Sequence, residues 1–309
     1  MKLHIAAIIT LSAFITAGCA NNNRNEEVNF RSTTHIRPKL EIPQIPTAIK
    51  DARERGKYLI KSYWVNYNFN DTTLLDSSSY TASPLFSYLD LVKELKDGES
   101  KALFSSFIET LLKSAPKTRE KFLSLIEYNY YHPDSPIKDE ELYEMVIDSS
   151  LSATVIPSAE RERYKFQKNI IGQNRVGNIA NNIIIKDLTG KTTSLRAVDS
   201  KFTVLLLFDP DCGHCRETIE RMKMSPVLKS EKVKIFAVLA ENSSARFKKG
   251  LVDLDRDWIS GYDFREEIMN SQLYDLRPSP SLYLLDSGKR VLIKDGALHE
   301  VEAYLASKI

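Results

Sequence analysis

Two cysteines, Cys212 and Cys215, stand in the stretch Phe208-Asp209-Pro210-Asp211-Cys212-Gly213-His214-Cys215. A Cys-x-x-Cys pair supports three chemistries: half of a zinc site, a structural disulfide, or a reversible dithiol–disulfide couple. Zinc takes about four ligands, and the chain offers one further cysteine, Cys19, and no second His/Cys cluster. The redox couple fits best, with the zinc and structural readings kept as alternatives. A redox cysteine is favoured at a helix N-terminus, where unpaired N–H groups and the macrodipole stabilise a thiolate. Two intervening residues let the second sulfur reach back and close a small ring.

The flanking sequence supplies the elements that this placement needs. Residues 202–208 are apolar except Thr203 and read as a buried strand. Asp209-Pro210-Asp211 breaks it, and residues 216–222 are rich in helix formers. Upstream, 183–185 reads as a strand, 187–191 as a turn and 192–195 as the hairpin partner. Downstream, Pro226 should end or kink the helix that begins at the cysteines. A buried strand over 233–239, a helix over 241–251 and a short helix over 268–274 follow. A hairpin, 281–285 with 291–294 around Asp286-Ser287-Gly288-Lys289, precedes a closing helix marked by Val301, Tyr304 and Leu305. The order is β-β-β-α-β-α-β-β-α.

The 309 residues suggest two domains. Before residue 171 helical spacing dominates: Ile49 to Tyr63, Leu85 to Val92, Leu103 to Leu112, Phe122 to Ile126, Leu142 to Val146, and a last helix near 159–171. Prolines and a glycine punctuate the gaps. Tyr63, Trp64, Tyr67 and Phe69 form one aromatic cluster, and Tyr128, Tyr130 and Tyr131 another. These read as packing residues with the hydroxyls near the surface, or as part of a groove for a partner. The net charge of +2, with no long basic run, Walker loop or dinucleotide fingerprint, gives no sign of nucleic-acid or nucleotide binding.

The first residues read as an address rather than as fold. An apolar run over 5–15 is too short to span a bilayer, and it ends in Thr16-Ala17-Gly18-Cys19. That ending resembles a bacterial lipobox, although Thr16 stands where Leu is usual. The resemblance implies a signal peptide over 1–18, cleavage before Cys19 and lipidation of its sulfur. A plain secretory signal with an incidental Cys19 is the alternative. On either reading the chain leaves the cytoplasm for a compartment where disulfides persist. Residues 19–37 read as a flexible tether, 38–171 as a helical domain and 172–309 as the dithiol domain.

The second domain resembles bacterial thioredoxin-like proteins of the TlpA/ResA type. Arg175-Val176-Gly177, the 187–191 turn, the 208–215 stretch, the run from Arg277-Pro278-Ser279-Pro280-Ser281 to Asp286 and the last helix carry the resemblance. The layout is similar to Bacteroidetes lipoproteins with a helical domain of unknown function in front. Ile45-Pro46, Tyr63-Trp64 and 69–74 look like that domain's opening. The resemblance implies an α+β two-domain chain: an all-α domain, then a thioredoxin fold with a central mixed sheet flanked by helices. It makes Cys212 the attacking thiol, Cys215 the buried resolving thiol and Pro280 the cis-proline facing the dithiol.

Thioredoxin has an aromatic residue where this chain has Asp211, and a buried acid where it has Leu206. Asp211 would raise the Cys212 pKa by like-charge repulsion, and Asp209 or Glu217 would assist proton transfer, unless all three acids are solvated. His214 stands where thioredoxin has proline and protein disulfide isomerase has histidine, two proteins about 90 mV apart. A histidine there would donate to the Cys212 sulfur and make the disulfide more oxidising. The expected function is thiol–disulfide exchange with protein or peptide substrates, needing no cofactor or metal. The expected setting is a lipid anchor in the outer membrane, facing the periplasm, with the upstream redox partner and the direction of electron flow open. The rival is a binding module in which the helical domain docks a partner and the thioredoxin-like domain is a scaffold. A peroxidase fits poorly with a Cys-x-x-Cys pair.

Overall fold

The structure is a computed structural model, and it describes residues 39–309. Cys19 and the stretches read as a signal peptide and a tether lie outside the described residues.

Six helices form the first part: α1 (Ala52–Ser62), α2 (Ser83–Leu95), α3 (Gly98–Leu112), α4 (Pro116–Tyr131), α5 (Glu140–Ser152) and α6 (Ser158–Gly172). Their ends follow from local chemistry. Asp51, Asp97 and Asp139 each accept a backbone N–H of the first turn of α1, α3 and α5. Pro84 and Pro116 occupy first-turn positions, where the missing N–H has no helical partner to lose. A π-helical segment, Ser78–Ala82, leads into α2 and was not foreseen.

The core of this part is aromatic. The Trp64 ring stacks on Phe107 at 5.3 Å and meets Tyr67, Tyr88 and Phe122 edge-on. The expectation that the tyrosine hydroxyls sit near the surface fails at the centre. Tyr88, Tyr130, Tyr143 and Tyr164 are wholly buried. The rings fill the space between helices, so their tips end inside, and two find internal acceptors. Tyr130 donates to the Leu89 carbonyl at 2.7 Å and Tyr143 to Gln167 at 2.9 Å. Tyr128, by contrast, is exposed.

The second part is a seven-stranded mixed sheet of order β2-β1-β5-β4-β3-β6-β7. Its strands are β1 (Ile184–Lys186), β2 (Thr192–Ser194), β3 (Phe202–Phe208), β4 (Val233–Leu239), β5 (Ile259–Tyr262), β6 (Ser281–Asp286) and β7 (Val291–Ile293). The helices are α7 (Gly213–Met224), α8 (Ser244–Gly250), α9 (Glu267–Asn270) and α10 (Leu298–Ala306). Central β3 pairs in parallel with β4 and antiparallel with β6. Its side chains alternate between two apolar layers. Phe202, Val204, Leu206 and Phe208 face one layer together with Cys215 and Trp258, and Leu205 and Leu207 face the other with Tyr274 and Tyr283. Pro226 lies just beyond the end of α7, as expected.

Strand β5 is absent from the sequence reading. Ser260 and Gly261 interrupt its apolar run, and its pairing partners, β4 and β1, are remote in sequence. Gly261 is needed there, because a Cβ would sit 2.8 Å from the Lys186 carbonyl oxygen.

The apolar clusters of the two parts share no residue. Polar contacts join them. Lys138 pairs with Asp295 at 2.5 Å, Lys294 with Glu140 at 2.7 Å and Arg175 with Glu144 at 2.6 Å. Arg277 lies over the Tyr131 ring, 3.5 Å from its centroid.

Candidate active site

Strand β3 delivers Phe208 to the sheet end, the 209–211 turn follows, and α7 opens at Gly213. Cys212 is therefore the N-cap of α7, and its sulfur accepts the Cys215 N–H at 3.3 Å. Both cysteines are thiols, Cys212 half-buried and Cys215 wholly buried. The Cys215 sulfur also accepts the Asp209 N–H at 3.5 Å.

The 275–281 loop closes over the pair. The Ser279–Pro280 peptide bond is cis. Ser279 touches both sulfurs: its hydroxyl is 3.1 Å from Cys215 Sγ and its carbonyl oxygen 3.6 Å from Cys212 Sγ. Sequence reading quoted Ser279 in a motif but assigned it no role.

The two thiols are electrostatically unequal. Burial pushes Cys212 up, but the Cys215 N–H and thiol, Ser279 and the His214 backbone N–H outweigh it, leaving Cys212 below the usual thiol value. Burial pushes Cys215 up to about 11. Of the two thiols Cys212 is the more readily deprotonated.

His214 acts on this balance through its main chain. Its imidazole, expected to donate to the Cys212 sulfur, is 70 % exposed, with Nδ1 3.9 Å from a Glu217 carboxylate oxygen. Glu217 is itself 71 % exposed. Asp211 also departs from expectation. Lys249 and Arg246 bind it and hold its carboxyl below the usual range, and Arg246 binds Asp209 at 2.7 Å as well. Two cations thus face the acid expected to repel the thiolate. Gly250 permits this cover: α8 packs so close that a Cβ there would lie 2.8 Å from the Phe208 ring.

Beside Ser279 and Pro278 a groove of about 220 Å3 opens between Phe208, Leu239, Met269 and Leu276. An apolar groove of about 410 Å3 shares Met269 and Leu276 with it and reaches Phe166 and Ile170 of α6. A larger, charged cleft of about 970 Å3, flanked by Lys96, Glu141 and Arg175, includes neither sulfur. Among the described residues no cluster of His, Cys, Asp and Glu is arranged to hold a metal ion.

Comparison with known proteins places both parts. Residues 18–174, about half of the chain, match the family described as Domain of unknown function (DUF5106). The chain belongs to the DUF5106 family. A thioredoxin-like protein from Bacteroides caccae ATCC 43185 superposes with a TM-score of 0.80 at 28 % identity, over 88 % of this chain and 99 % of that one. That match spans the DUF5106 helices and the sheet together, so the arrangement recurs, and the second part is thioredoxin-like. The C-terminal domain of an uncharacterized protein from Bacteroides fragilis NCTC 9343 is 38 % identical over 43 % of this chain and 98 % of that one, with a TM-score of 0.42. A domain of a possible thiol-disulfide isomerase from Cytophaga hutchinsonii ATCC 33406 is 20 % identical over 44 % and 94 %, with a TM-score of 0.37. No curated protein matches this DUF5106 chain.

Proposed function

We propose that this chain is a thiol–disulfide oxidoreductase acting on protein or peptide disulfides. The observation that carries the reading is the unequal dithiol: a half-buried Cys212 of lowered pKa at a helix N-terminus, and a buried Cys215 pushed up to about 11. In the reducing direction the Cys212 thiolate attacks one substrate sulfur. The substrate S–S bond breaks, a mixed disulfide forms, and the departing thiolate takes a proton from solvent. Cys215 then loses its proton and attacks Cys212 Sγ. The second substrate thiolate leaves, and the chain is left as the Cys212–Cys215 disulfide, two electrons poorer. The same steps reversed oxidise a dithiol. The exchange itself uses no metal or cofactor. The groove beside Ser279 leaves room for the segment that carries the substrate disulfide.

The test is insulin reduction by the pre-reduced chain, with Cys212→Ser as the dead control and Cys215→Ala as the trap for mixed disulfides. Wild-type turnover and capture on Cys215→Ala are expected. A chain that neither turns over nor forms the 212–215 disulfide with oxidised glutathione is a scaffold, and the binding-module reading then replaces this one.

We also propose that Cys19 is lipidated and anchors the chain in the outer membrane, facing the periplasm, on the sequence Ala17-Gly18-Cys19 after the apolar run. Cys19→Ser should leave the membrane fraction, since stable anchoring takes about two acyl chains. Retention of that variant after a high-salt wash would sink the anchor.

A further inference from the structure

Ser279 contacts both sulfurs, so whatever fixes the 275–281 loop fixes the environment of the dithiol. The loop is fastened on two sides. On its N-terminal side Arg277 donates Nε and Nη2 to Asp275 at 2.9 and 2.5 Å. The same guanidinium lies 3.5 Å from the Tyr131 ring centroid, and its Nη1 donates to the Tyr131 carbonyl at 3.3 Å. On its C-terminal side Ser281 Oγ lies 3.2 Å from Asp295 and 3.3 Å from the Asp275 and Pro278 carbonyls. Asp295 in turn accepts from Lys138 at 2.5 Å.

The charges make this arrangement depend on the helical part. Side chains of two acids, Asp275 and Asp295, are 4 % and 9 % exposed beneath one loop. Two buried acids this close repel unless each has a cation. Arg277 comes from the loop itself, whereas Lys138 comes from the segment between α4 and α5. Tyr131, the last residue of α4, supplies the flat face on which Arg277 rests.

We propose that the helical part is a positioning clamp for the loop that faces the dithiol, with Tyr131 and Lys138 as its positioning residues. This rests on the reading of Cys212 and Cys215 as a redox couple and assigns a role to the helices in front of it. With the clamp in place the Ser279 hydroxyl stays 3.1 Å from the Cys215 sulfur and its carbonyl oxygen accepts from the Cys212 thiol, and these hydrogen bonds favour the reduced dithiol. When the clamp is loosened, that stabilisation falls.

The experiment compares the purified full chain with Tyr131→Leu and Lys138→Met, by glutathione redox titration and by Cys212 alkylation rate against pH. Each substitution should shift the glutathione equilibrium toward the disulfide by about tenfold, roughly 30 mV for two electrons, and displace the Cys212 midpoint. Ser279→Ala should shift both in the same direction. Tyr131→Phe should leave both at the parent values, because the ring is kept and the Tyr131 hydroxyl has no hydrogen-bond partner among the described residues. Parent-like values in Tyr131→Leu and Lys138→Met would overturn the clamp, as would a shift in Tyr131→Phe equal to that in Tyr131→Leu. If Tyr131→Leu fails to fold, Lys138→Met decides alone. Alkylation needs no substrate, so a shifted midpoint in a chain without disulfide exchange removes the oxidoreductase reading and keeps the clamp. A catalytically active set with unshifted midpoints removes only the clamp.

Discussion

The turn that carries Cys212 is fastened from within its own domain: Arg246 and Lys249 of α8 grip Asp209 and Asp211, and the Cys215 N–H of α7 points at the sulfur. The 275–281 loop opposite is fastened from Tyr131 and Lys138, more than a hundred positions earlier in the chain. One wall of the dithiol is built by neighbours in sequence and the other by a different part of the protein. The difference teaches that the two walls can be altered separately. The first sets the charge at Cys212, and the second sets how Ser279 meets both sulfurs.

The most severe way to break this comparison is to remove the second wall's support entirely. A fragment of residues 173–309 should still unfold in one cooperative transition, because its apolar clusters draw on no residue before Ala180. Asp295 becomes exposed to water in the fragment and no longer needs Lys138. The loop, however, loses both fastenings at once. The fragment's glutathione equilibrium should therefore move toward the disulfide by more than the roughly tenfold expected of a single clamp substitution. A fragment with the parent potential would mean that the second wall supports itself.

A smaller effect sharpens the account of the first wall. His214→Pro removes a backbone N–H that favours the Cys212 thiolate, whereas His214→Ala keeps it. The proline variant should raise the Cys212 midpoint and lower the potential by about 30 mV, and the alanine variant should change little. Equal shifts in the two would return the role to the imidazole. The smallest change belongs to Arg246→Ala, which takes a cation from Asp209 and leaves Asp211 to Lys249. The sign follows from the thiolate: its fraction rises with pH, so a raised Cys212 pKa moves the alkylation profile to higher pH and slows attack at pH 7. The displacement should be about half a unit or less and should fade in roughly 1 M salt, because these charges are partly solvated. A displacement that persists in salt would mean that Arg246 acts through packing.

Local signals made most of the first wall readable in advance. The apolar run of β3, the Asp-Pro-Asp break and the helix formers after Cys215 each act within a few residues. The same holds for the six helices, whose apolar spacing is written in sequence, and for the proline after α7. The second wall was readable only as a motif around Pro280. Nothing near Ser279 announces its sulfur contacts, and nothing near Tyr131 or Lys138 announces a partner on a loop beyond residue 274. Strand β5 escaped for a related reason, since its pairing comes from β1 and β4 rather than from its own short Ile-Ser-Gly-Tyr sequence. Nothing in the 241–251 stretch announced the pairing of Arg246 and Lys249 with Asp211, which lies a full strand and helix away.

The two tryptophans are divided one to each part: Trp64 sits within the aromatic cluster of the helices, and Trp258 packs against the sheet layer that contains Cys215. The chain therefore carries a separate intrinsic fluorophore in each half. In Trp64→Phe and Trp258→Phe, emission reports the melting of one half in the presence of the other. The separation between the two curves measures how strongly the halves hold each other folded, in a chain whose covalent structure is otherwise intact.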